Sequence, residues 1–159
     1  MSQPSSSTNE STFRPAVRGD LPAIVQMLAD DVLGAQRESF SDPLPDSYHA
    51  AFDALDSDPN NELVVAVRDD TVVGVLQITF IPYLTHRGGW RALVEGVRVA
   101  SCARAGGTGG AMLRWAIERA RQRGCVMIQL TTDRARGDAL RFYERLGFVA
   151  SHHGMKLKL

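Results

Sequence analysis

A glycine-rich run leads directly into a segment with helical patterning, and this junction constrains the fold more than any other feature. The run reads Arg-Ala-Gly-Gly-Thr-Gly-Gly over residues 104–110, and apolar residues recur at helical spacing over 111–123. Glycine lets a backbone turn tightly and approach a ligand closely. The first-turn amides of a helix lack internal partners and lie at the positive end of its dipole. The junction therefore predicts a phosphate-binding loop.

Two common nucleotide-binding patterns do not fit this loop. A P-loop ends in Gly-Lys-Ser/Thr, which is missing here. The dinucleotide pattern Gly-x-Gly-x-x-Gly fails as well, since counting from Gly107 places Met112 at the third glycine. The pattern that fits is Arg/Gln-x-x-Gly-x-Gly/Ala, met by Arg104, Gly107 and Gly109. This spacing resembles the pyrophosphate loop of the GNAT superfamily, the acetyl-CoA-dependent N-acetyltransferases.

A second motif lies further along the chain, at residues 139–148. It reads Ala-Leu-Arg-Phe-Tyr-Glu-Arg-Leu-Gly-Phe and is similar to the closing motif of the same superfamily, in which a tyrosine-bearing helix ends at Gly-Phe before a last strand. The separation of the two motifs leaves room for one helix and one strand, as in the family. The resemblance covers residues 94–159.

The remaining patterns predict a single mixed α/β domain over residues 13–159, after a Ser/Thr-rich tail at 1–12 that is expected to be disordered. A hairpin is expected at Asp69-Asp70, and Asp20 is expected to cap the first helix. The GNAT resemblance implies a mostly antiparallel, splayed central sheet flanked by helices. Strands are predicted at 13–17, 63–68, 71–80, 92–99, 126–131 and 149–159; helices are predicted at 21–32, 47–55, 111–123 and around Tyr143.

Composition excludes several classes of function. Eighteen basic residues balance 18 acidic ones, so the charge predicts neither a nucleic-acid nor an anionic membrane partner. No apolar run approaches the length of a membrane span. Cys102 and Cys125 are too few for a disulfide framework or a zinc site, so we expect no metal and a reduced, cytoplasmic setting. Cys102 is better explained as a small filler residue than as a nucleophile.

The resemblance implies a binding mode for acetyl-CoA. The backbone of residues 104–110 would hold the pyrophosphate, and the backbone of residues 97–99 would bind the pantetheine arm. Ala105 stands where glycine is commonest, and Arg136 stands where many relatives carry a coenzyme-contacting asparagine. The expected coenzyme-binding residues are Val97, Arg98, Val99, Arg104, Ala105, Gly106, Gly107, Thr108, Gly109, Gly110 and Arg136.

The same resemblance suggests catalytic roles. An amide near Val97 would polarise the thioester carbonyl, and Tyr143 would be the general acid that protonates the departing thiolate. Glu95 is the candidate base, acting through water or after a burial shift. It would share a face with Val97 on a regular strand, although a bulge would change that facing. An equally open alternative makes Glu95 a substrate-binding or solvated charge.

The sequence defines the acceptor site less sharply than the coenzyme site. It is expected to contact helices after residue 20, the Gly34–Asp46 segment and the Ile81–Arg91 loop. The favoured function is acetyl transfer to a small-molecule primary amine in a ternary complex. The alternatives are a protein amino group as acceptor, or an acyl-CoA sensor without catalysis, and family habit is compatible with a homodimer. Candidate acceptor contacts are Asp30, Asp31, Glu38, Asp42, Tyr83, His86 and Trp90.

Overall fold

A computed structural model describes residues 10–30 and 32–159 of the chain. Its framework is a five-stranded sheet in the order β1-β2-β3-β4-β5, in which all neighbours are antiparallel except the parallel pair β4 and β5. The predicted mixed sheet is confirmed. The strands are β1 (Thr12–Pro15), β2 (Asn61–Arg68), β3 (Thr71–Pro82), β4 (Trp90–Val99) and β5 (Cys125–Leu130). The helices are α1 (Leu21–Ala29), α2 (Val32–Ala35), α3 (Asp46–Ser57), the four-residue turn α4 (Thr85–Gly88), α5 (Thr108–Gln122) and α6 (Gly137–Arg145).

The predicted hairpin joins β2 to β3. Asp69 and Asp70 both adopt positive φ, at 47° and 59°, which is the backbone of the two-residue turn that best matches strand twist. Aspartate tolerates this region better than most residues because its short polar side chain bonds locally. The hairpin prediction is confirmed, and β3 continues two residues beyond its predicted end at Phe80.

Helices cover both faces of the sheet and enclose two apolar cores. One core lies between the sheet and α5, with Leu76, Ile78 and Met112 fully buried. The other lies beneath α1 and α3, with Val25 and Val65 fully buried. Alternate strand residues serve the two cores because successive side chains of a strand point to opposite faces.

α1 begins at Leu21 with Asp20 in the N-cap position, as predicted, but the Asp20 side chain makes no cap hydrogen bond. Its carboxylate instead accepts hydrogen bonds from Arg14 at 2.6 and 3.0 Å and from the Val17 amide at 2.8 Å. The hydrogen bond from Arg14 is the main reason that the pKa of Asp20 lies below its ordinary value. Asp20 therefore links Arg14 of β1 to the chain that follows this strand.

The predicted tail at 1–12 lies mostly outside the described residues, which begin at Glu10, and Thr12 already belongs to β1. The predicted last strand over 149–159 is wrong for the chain by itself. Residues 149–159 are exposed and form no strand, so β5 is an edge of the sheet. Strand patterning alone does not create a strand, because the segment must also form backbone hydrogen bonds with a neighbouring strand.

The predicted Ile81–Arg91 loop is shorter in the structure. Ile81 and Pro82 lie in β3, while Trp90 and Arg91 lie in β4, so only residues 83–89 connect the two strands. Five residues of extended strand, about 17 Å, separate Trp90 from Glu95. This connection therefore lies at the far end of β4 from the glycine-rich run.

Candidate functional site

The last half of β4 is open on one side. Its first half pairs in parallel with β5, but this pairing ends at Val94 opposite Leu130. From Glu95 onward β4 pairs with β3 alone, as far as Val99. Within the described sheet, the β5-facing backbone groups of this half have no strand partner. The splayed sheet implied by the resemblance is present, and an extended ligand could bind there as an added strand does.

A β-bulge interrupts β4 within this open half. Val75 pairs with Arg98 and Gln77 with Glu95, so Leu76 alone lies opposite both Gly96 and Val97. Gly96 has a φ of 61°, the left-handed conformation that glycine adopts without a steric penalty. The extra residue re-aims the strand. Val94 and Val97 therefore contact the same core.

The bulge changes the expected facing of Glu95. On a regular strand Glu95 and Val97 would share a face. Here Val97 packs toward the core beneath α5, whereas Glu95 directly follows the buried Val94 and is exposed. The bulge that would change this facing is present, so the two side chains do not lie on one side. Glu95 points to the face that carries α1 and α3, so its role as a base stays a prediction.

The glycine-rich run forms a turn that opens a helix, as predicted. Residues 101–106 make a 3₁₀ turn, Gly107 adopts a φ of 73°, and α5 begins at Thr108. The first internal bond of the helix runs from the Ala111 amide to the Gly107 carbonyl at 3.0 Å. Among the described residues, no side chain caps this end. The amides of residues 108–110 therefore remain available at the positive end of the helix dipole.

The four glycines of the run differ in backbone conformation and in the space around them. Of the four, only Gly107 has a positive φ. A Cβ on Gly106 would lie 3.2 Å from Nη2 of Arg68, whereas one on Gly109 would make ordinary contacts of 3.5 Å and more. At Gly110 the nearest atom belongs to the flexible end of Arg114. A Cβ on Gly107 would meet nothing within 4 Å, so the backbone conformation and not the available space favours glycine at this turn.

Arg104 takes part in a contact that its sequence position did not reveal. Its Nε donates to the Val99 carbonyl at 3.1 Å, and its Nη2 donates to Asp30 at 2.9 Å. Both side chains are about half exposed. The first residue of the glycine-rich run is thereby tied to the end of α1. Asp30, a predicted acceptor contact, is paired here with a coenzyme-binding candidate.

Tyr143 lies on α6, which packs against the glycine-rich run. The Phe142 ring lies 3.6 Å from the Cβ position of Gly109, and the ring of Tyr143 makes edge contacts with Phe142 and Phe148 at centroid distances of 5.2 and 5.9 Å. Burial raises the pKa of Tyr143 above its ordinary value, and the charges of Arg98 and Arg136 partly oppose that rise. Tyr143 is therefore a protonated hydroxyl near neutral pH, the state that a proton donor needs.

The structure thus gathers several predicted residues from distant parts of the chain. Arg98 comes from the open half of β4, and Arg136 lies at the start of α6. Both are close enough to influence the Tyr143 hydroxyl electrostatically. Arg98 also donates to the Val97 carbonyl at 2.8 Å. The site is therefore positively charged, and it is built on strand β4, loop 101–107 and helix α6.

Sequence reasoning missed Arg68. It ends β2, and its Nη2 donates to the buried hydroxyl of Thr108 at 2.8 Å and to Ser11 at 3.4 Å. Its Nε is buried and has no hydrogen-bond partner in the described part of the chain. A guanidinium always carries a charge, so a cation supports the loop from beneath Gly106. Nothing in the sequence next to Arg68 signals this contact, because Thr108 is 40 positions away.

The predicted acceptor contacts do not form one cluster. Glu38 accepts a hydrogen bond from the Tyr48 hydroxyl at 3.0 Å. Tyr83 packs against His86 in the connection at the far end of β4, and Arg91 stacks over its ring. Trp90 packs against the core beneath α5. Asp31 lies outside the described residues. Asp42 helps to line a cavity beside Pro22 and Phe40, which contains no residue of the glycine-rich run.

Two further observations concern absent features. Among residues 10–30 and 32–159, no helix is long and apolar enough to cross a membrane. The same residues contain no group of three or more His, Cys, Asp or Glu side chains arranged to hold a metal ion.

Comparisons with known proteins agree with this geometry. The model of the acetyltransferase (GNAT) family matches residues 29–148. An aminoalkylphosphonate N-acetyltransferase from Salmonella typhimurium is 35% identical over 95 residues, which are 60% of this chain and 61% of that relative. The match thus spans less than two thirds of the relative's length.

Solved structures share the whole fold. A protein from Bacillus halodurans described as a transcriptional regulator is 57% identical, with a TM-score of 0.92 over 94% of this chain and 100% of its own. A protein from Agrobacterium tumefaciens described as an acetyltransferase is 27% identical, with a TM-score of 0.82 over 93% of this chain and 99% of its own. The family match includes the open half of β4, the glycine-rich run and the Tyr143 helix. The chain therefore belongs to the GNAT family of acetyltransferases.

Proposed function

We propose that this chain transfers an acetyl group from acetyl-CoA to a primary amine of a small molecule, by direct attack in a ternary complex. The observation that carries the proposal is the opening between β4 and β5 beyond Val94 and Leu130, with the uncapped start of α5 directly after it. A long, anionic ligand needs both an extended backbone surface and a phosphate site. The open half of β4 would provide the extended surface, and the start of α5, which follows it along the chain, would provide the phosphate site.

The chain's residues fit the coenzyme. The amides of residues 108–110 suit a pyrophosphate, and Gly109 and Gly110 have no side chain that would keep a ligand from the backbone. Arg68 supports the loop through Thr108. Arg104 and Arg136 would add charge beside the phosphates, and Arg104 would exchange its contact with Asp30 for them. The backbone of Val97, Arg98 and Val99 would bind the pantetheine arm along the open edge of β4.

Tyr143 would donate the proton that the departing thiolate needs. Its hydroxyl stays protonated because burial raises its pKa. The bulge at Gly96 turns the backbone near Val97, so that an amide there can donate to the thioester carbonyl oxygen. Glu95, on the face shared with α1 and α3, would accept a proton from the acceptor amine, directly or through water. In this mechanism Cys102, which is exposed, forms no acyl intermediate.

The similarity to a relative of known acceptor supports a class of acceptor for this chain. A Salmonella relative is an aminoalkylphosphonate N-acetyltransferase, so small amines that carry an anionic group are the first acceptors to test. The basic site described above suits such an anion. The two free cysteines are consistent with a reduced, cytoplasmic setting.

A thiol-release assay tests the proposal. Acetyl-CoA is incubated with a panel of aminoalkylphosphonates, polyamines, amino sugars, aminoglycosides and peptides, and acetyl-CoA affinity is measured by calorimetry. We expect binding of acetyl-CoA and turnover with a small amine. Tyr143→Phe should lower turnover, whereas the matched control Tyr83→Phe, at the far end of β4, should not. Absence of acetyl-CoA binding would remove the basis of the proposal.

Two alternatives give different results in the same assay. A protein amino group as acceptor predicts turnover with peptides and none with small amines. A sensor that binds acyl-CoA without catalysis predicts affinity for acetyl-CoA and no turnover with any amine. The 57% identical protein described as a transcriptional regulator makes the sensor worth this direct comparison.

A further inference from the structure

A row of polar side chains crosses the sheet face that carries α1 and α3. Val75 belongs to the core beneath those helices, so Gln77 and Thr79, which follow it at two-residue steps along β3, point to the same face. Asn61 of β2 pairs with Thr79, and Glu95 of β4 pairs with Gln77. The first three of these polar residues are half-buried, and Glu95 is exposed. The sheet therefore places a polar row on the face where an acceptor amine would reach Glu95.

Hydrogen bonds along this row fix the orientation of the Gln77 amide. A carboxylate only accepts, so Asn61 turns its Nδ2 toward Oδ2 of Asp58, at 2.7 Å, and its Oδ1 faces the other way. That oxygen accepts from the Thr79 hydroxyl at 2.7 Å and from Nε2 of Gln77 at 3.1 Å. The nitrogen of the Gln77 amide is thereby committed to Asn61. Its Oε1 makes no hydrogen bond to any residue that the structure describes.

Gln77 and Glu95 together form a pair of hydrogen-bond acceptors. They are direct partners in the antiparallel pairing of β3 and β4, and the Cβ atoms of such partners lie about 5 Å apart. A neutral primary amine has a matching set of groups, since it carries two N–H donors and one lone pair. When both donors are bound, the lone pair is left for the reaction. Glu95 begins the open half of β4, so the pair stands beside the expected position of the thioester.

We propose that Oε1 of Gln77 and the carboxylate of Glu95 each accept one N–H of the acceptor amine, so that the site selects primary amines. This inference rests on the acetyl transfer proposed above. The nitrogen lone pair attacks the acetyl carbon, and Glu95 takes a proton from the nitrogen once the C–N bond has formed. The C–S bond breaks, and Tyr143 protonates the thiolate. Gln77 exchanges no proton and acts by holding the nitrogen, while Asn61 is the positioning residue that orients its amide.

Steady-state kinetics with a primary amine and its N-methyl derivative test the contact, because the derivative lacks one N–H. The pair is aminoethylphosphonate and its N-methyl form, or the same pair for another amine that the panel identifies. In the wild type, kcat/KM should favour the primary amine by about tenfold, the value of one good hydrogen bond. In Gln77→Leu the preference should fall below about threefold, with acetyl-CoA affinity unchanged. A wild type without preference, or a variant that keeps it, would overturn the proposal.

Two further variants separate the contact from the packing of this sheet face. Gln129→Leu is the matched control, since Gln129 is also half-buried but lies on β5 opposite Leu93. It should keep the wild-type preference, and an equal loss would contradict a specific contact at Gln77. Asn61→Leu leaves the Gln77 amide without its orienting acceptor and should give an intermediate preference; a full preference would remove Asn61 from its positioning role.

The same kinetics distinguish failure of this inference from failure of the proposed function. If the wild type turns over primary amines but Gln77→Leu leaves the preference intact, acetyl transfer stands and the Gln77 contact is wrong. If the wild type turns over no amine at all, the proposed function fails and the Gln77 contact fails with it.

Discussion

The two halves of β4 are one continuous strand with two different surroundings. From Trp90 to Val94 the strand pairs with β3 on one side and β5 on the other, and Ala92 and Val94 are fully buried. From Glu95 to Val99 it pairs with β3 alone, and the bulge at Gly96 interrupts that pairing. The halves also differ in composition, since residues 90–94 read Trp-Arg-Ala-Leu-Val and residues 95–99 read Glu-Gly-Val-Arg-Val. The more apolar half is the one with a neighbouring strand on both sides.

We expect the closed half of β4 to stabilise the fold and the open half to bind the coenzyme. The closed half buries apolar side chains and satisfies its backbone within the sheet, which stabilises the fold. The open half has no β5 partner within the described sheet, and its Val97 and Val99 carbonyls accept hydrogen bonds from the side chains of Arg98 and Arg104. We therefore expect substitutions in the closed half to change the free energy of unfolding, and substitutions around the open half to change coenzyme affinity or turnover.

The largest expected effect is that of Tyr143→Phe at the open half. Phenylalanine keeps the edge contacts with Phe142 and Phe148 but removes the hydroxyl proton. Because general acid catalysis contributes at least about 100-fold, kcat should fall by about that factor. Acetyl-CoA affinity, measured by calorimetry, should change little. An unchanged kcat with a substrate whose chemical step is slow would remove Tyr143 from the catalytic role.

The pH dependence of kcat sharpens the same assignment. Burial raises the pKa of Tyr143, so the acid form persists below that raised value and is lost only above it. We expect no decline of kcat caused by Tyr143 between about pH 7 and pH 9, since an ordinary tyrosine already titrates near 10. Arg98→Met should move the tyrosinate transition to still higher pH, because the Arg98 charge lowers this pKa. Ultraviolet titration of wild type and variant measures the transition.

A smaller effect is expected from Gly96→Ala at the bulge. A side chain in the left-handed region costs about 1–2 kcal/mol, so thermal unfolding should occur at lower temperature. A displaced Val97 amide should lower kcat/KM by about tenfold, the loss that about 1.4 kcal/mol produces. Gly137→Ala is the matched control, since a Cβ at either glycine meets nothing within 4 Å and only Gly96 has a positive φ. Equal behaviour of the two variants would argue against a role for the bulge.

Paired valine substitutions compare the two halves directly. Val94→Ala should lower the free energy of unfolding by about 1.6 kcal/mol, because it removes two buried methyl groups worth about 0.8 kcal/mol each. Its acetyl-CoA affinity should remain near that of the wild type. Val97→Ala, at a partly buried position, should cost less stability and weaken acetyl-CoA binding more. Denaturant unfolding and calorimetry measure the two quantities. Equal losses of both in both variants would break the comparison.

The smallest expected effect is that of replacing Arg68, which contacts Thr108 and lies beneath Gly106 of the glycine-rich run. Arg68→Met removes the hydrogen bond to Thr108, and a loss of about 1 kcal/mol should weaken acetyl-CoA binding about fivefold. kcat should stay near the wild-type value. Arg121→Met, on the exposed side of α5, is the control. If Arg68 acts through Thr108, its effect and that of Thr108→Val should be non-additive; additive losses would assign it an independent contact.

Local patterns predicted the elements whose causes are local. The hairpin at Asp69-Asp70 and the glycine turn before α5 follow from residues that sit next to each other, and both are confirmed. The Asp20 cap was wrong because Arg14, six positions away, competes for the carboxylate. The facing of Glu95 was wrong because a bulge depends on how β3 and β4 align. The last strand over 149–159 was wrong because the segment does not pair with the β5 edge, and alternation within a segment does not decide whether it pairs.

The sequence by itself determined the glycine turn before α5, the tyrosine helix and the hairpin between β2 and β3, since each depends on spacing between near neighbours. Tertiary structure decided three further features. It ended the β4 and β5 pairing at Val94, it placed Arg68 beneath Gly106, and it left β5 at the edge of the described sheet. Each of these features depends on whether segments far apart in the chain pair or pack together. No short stretch of sequence encodes that outcome.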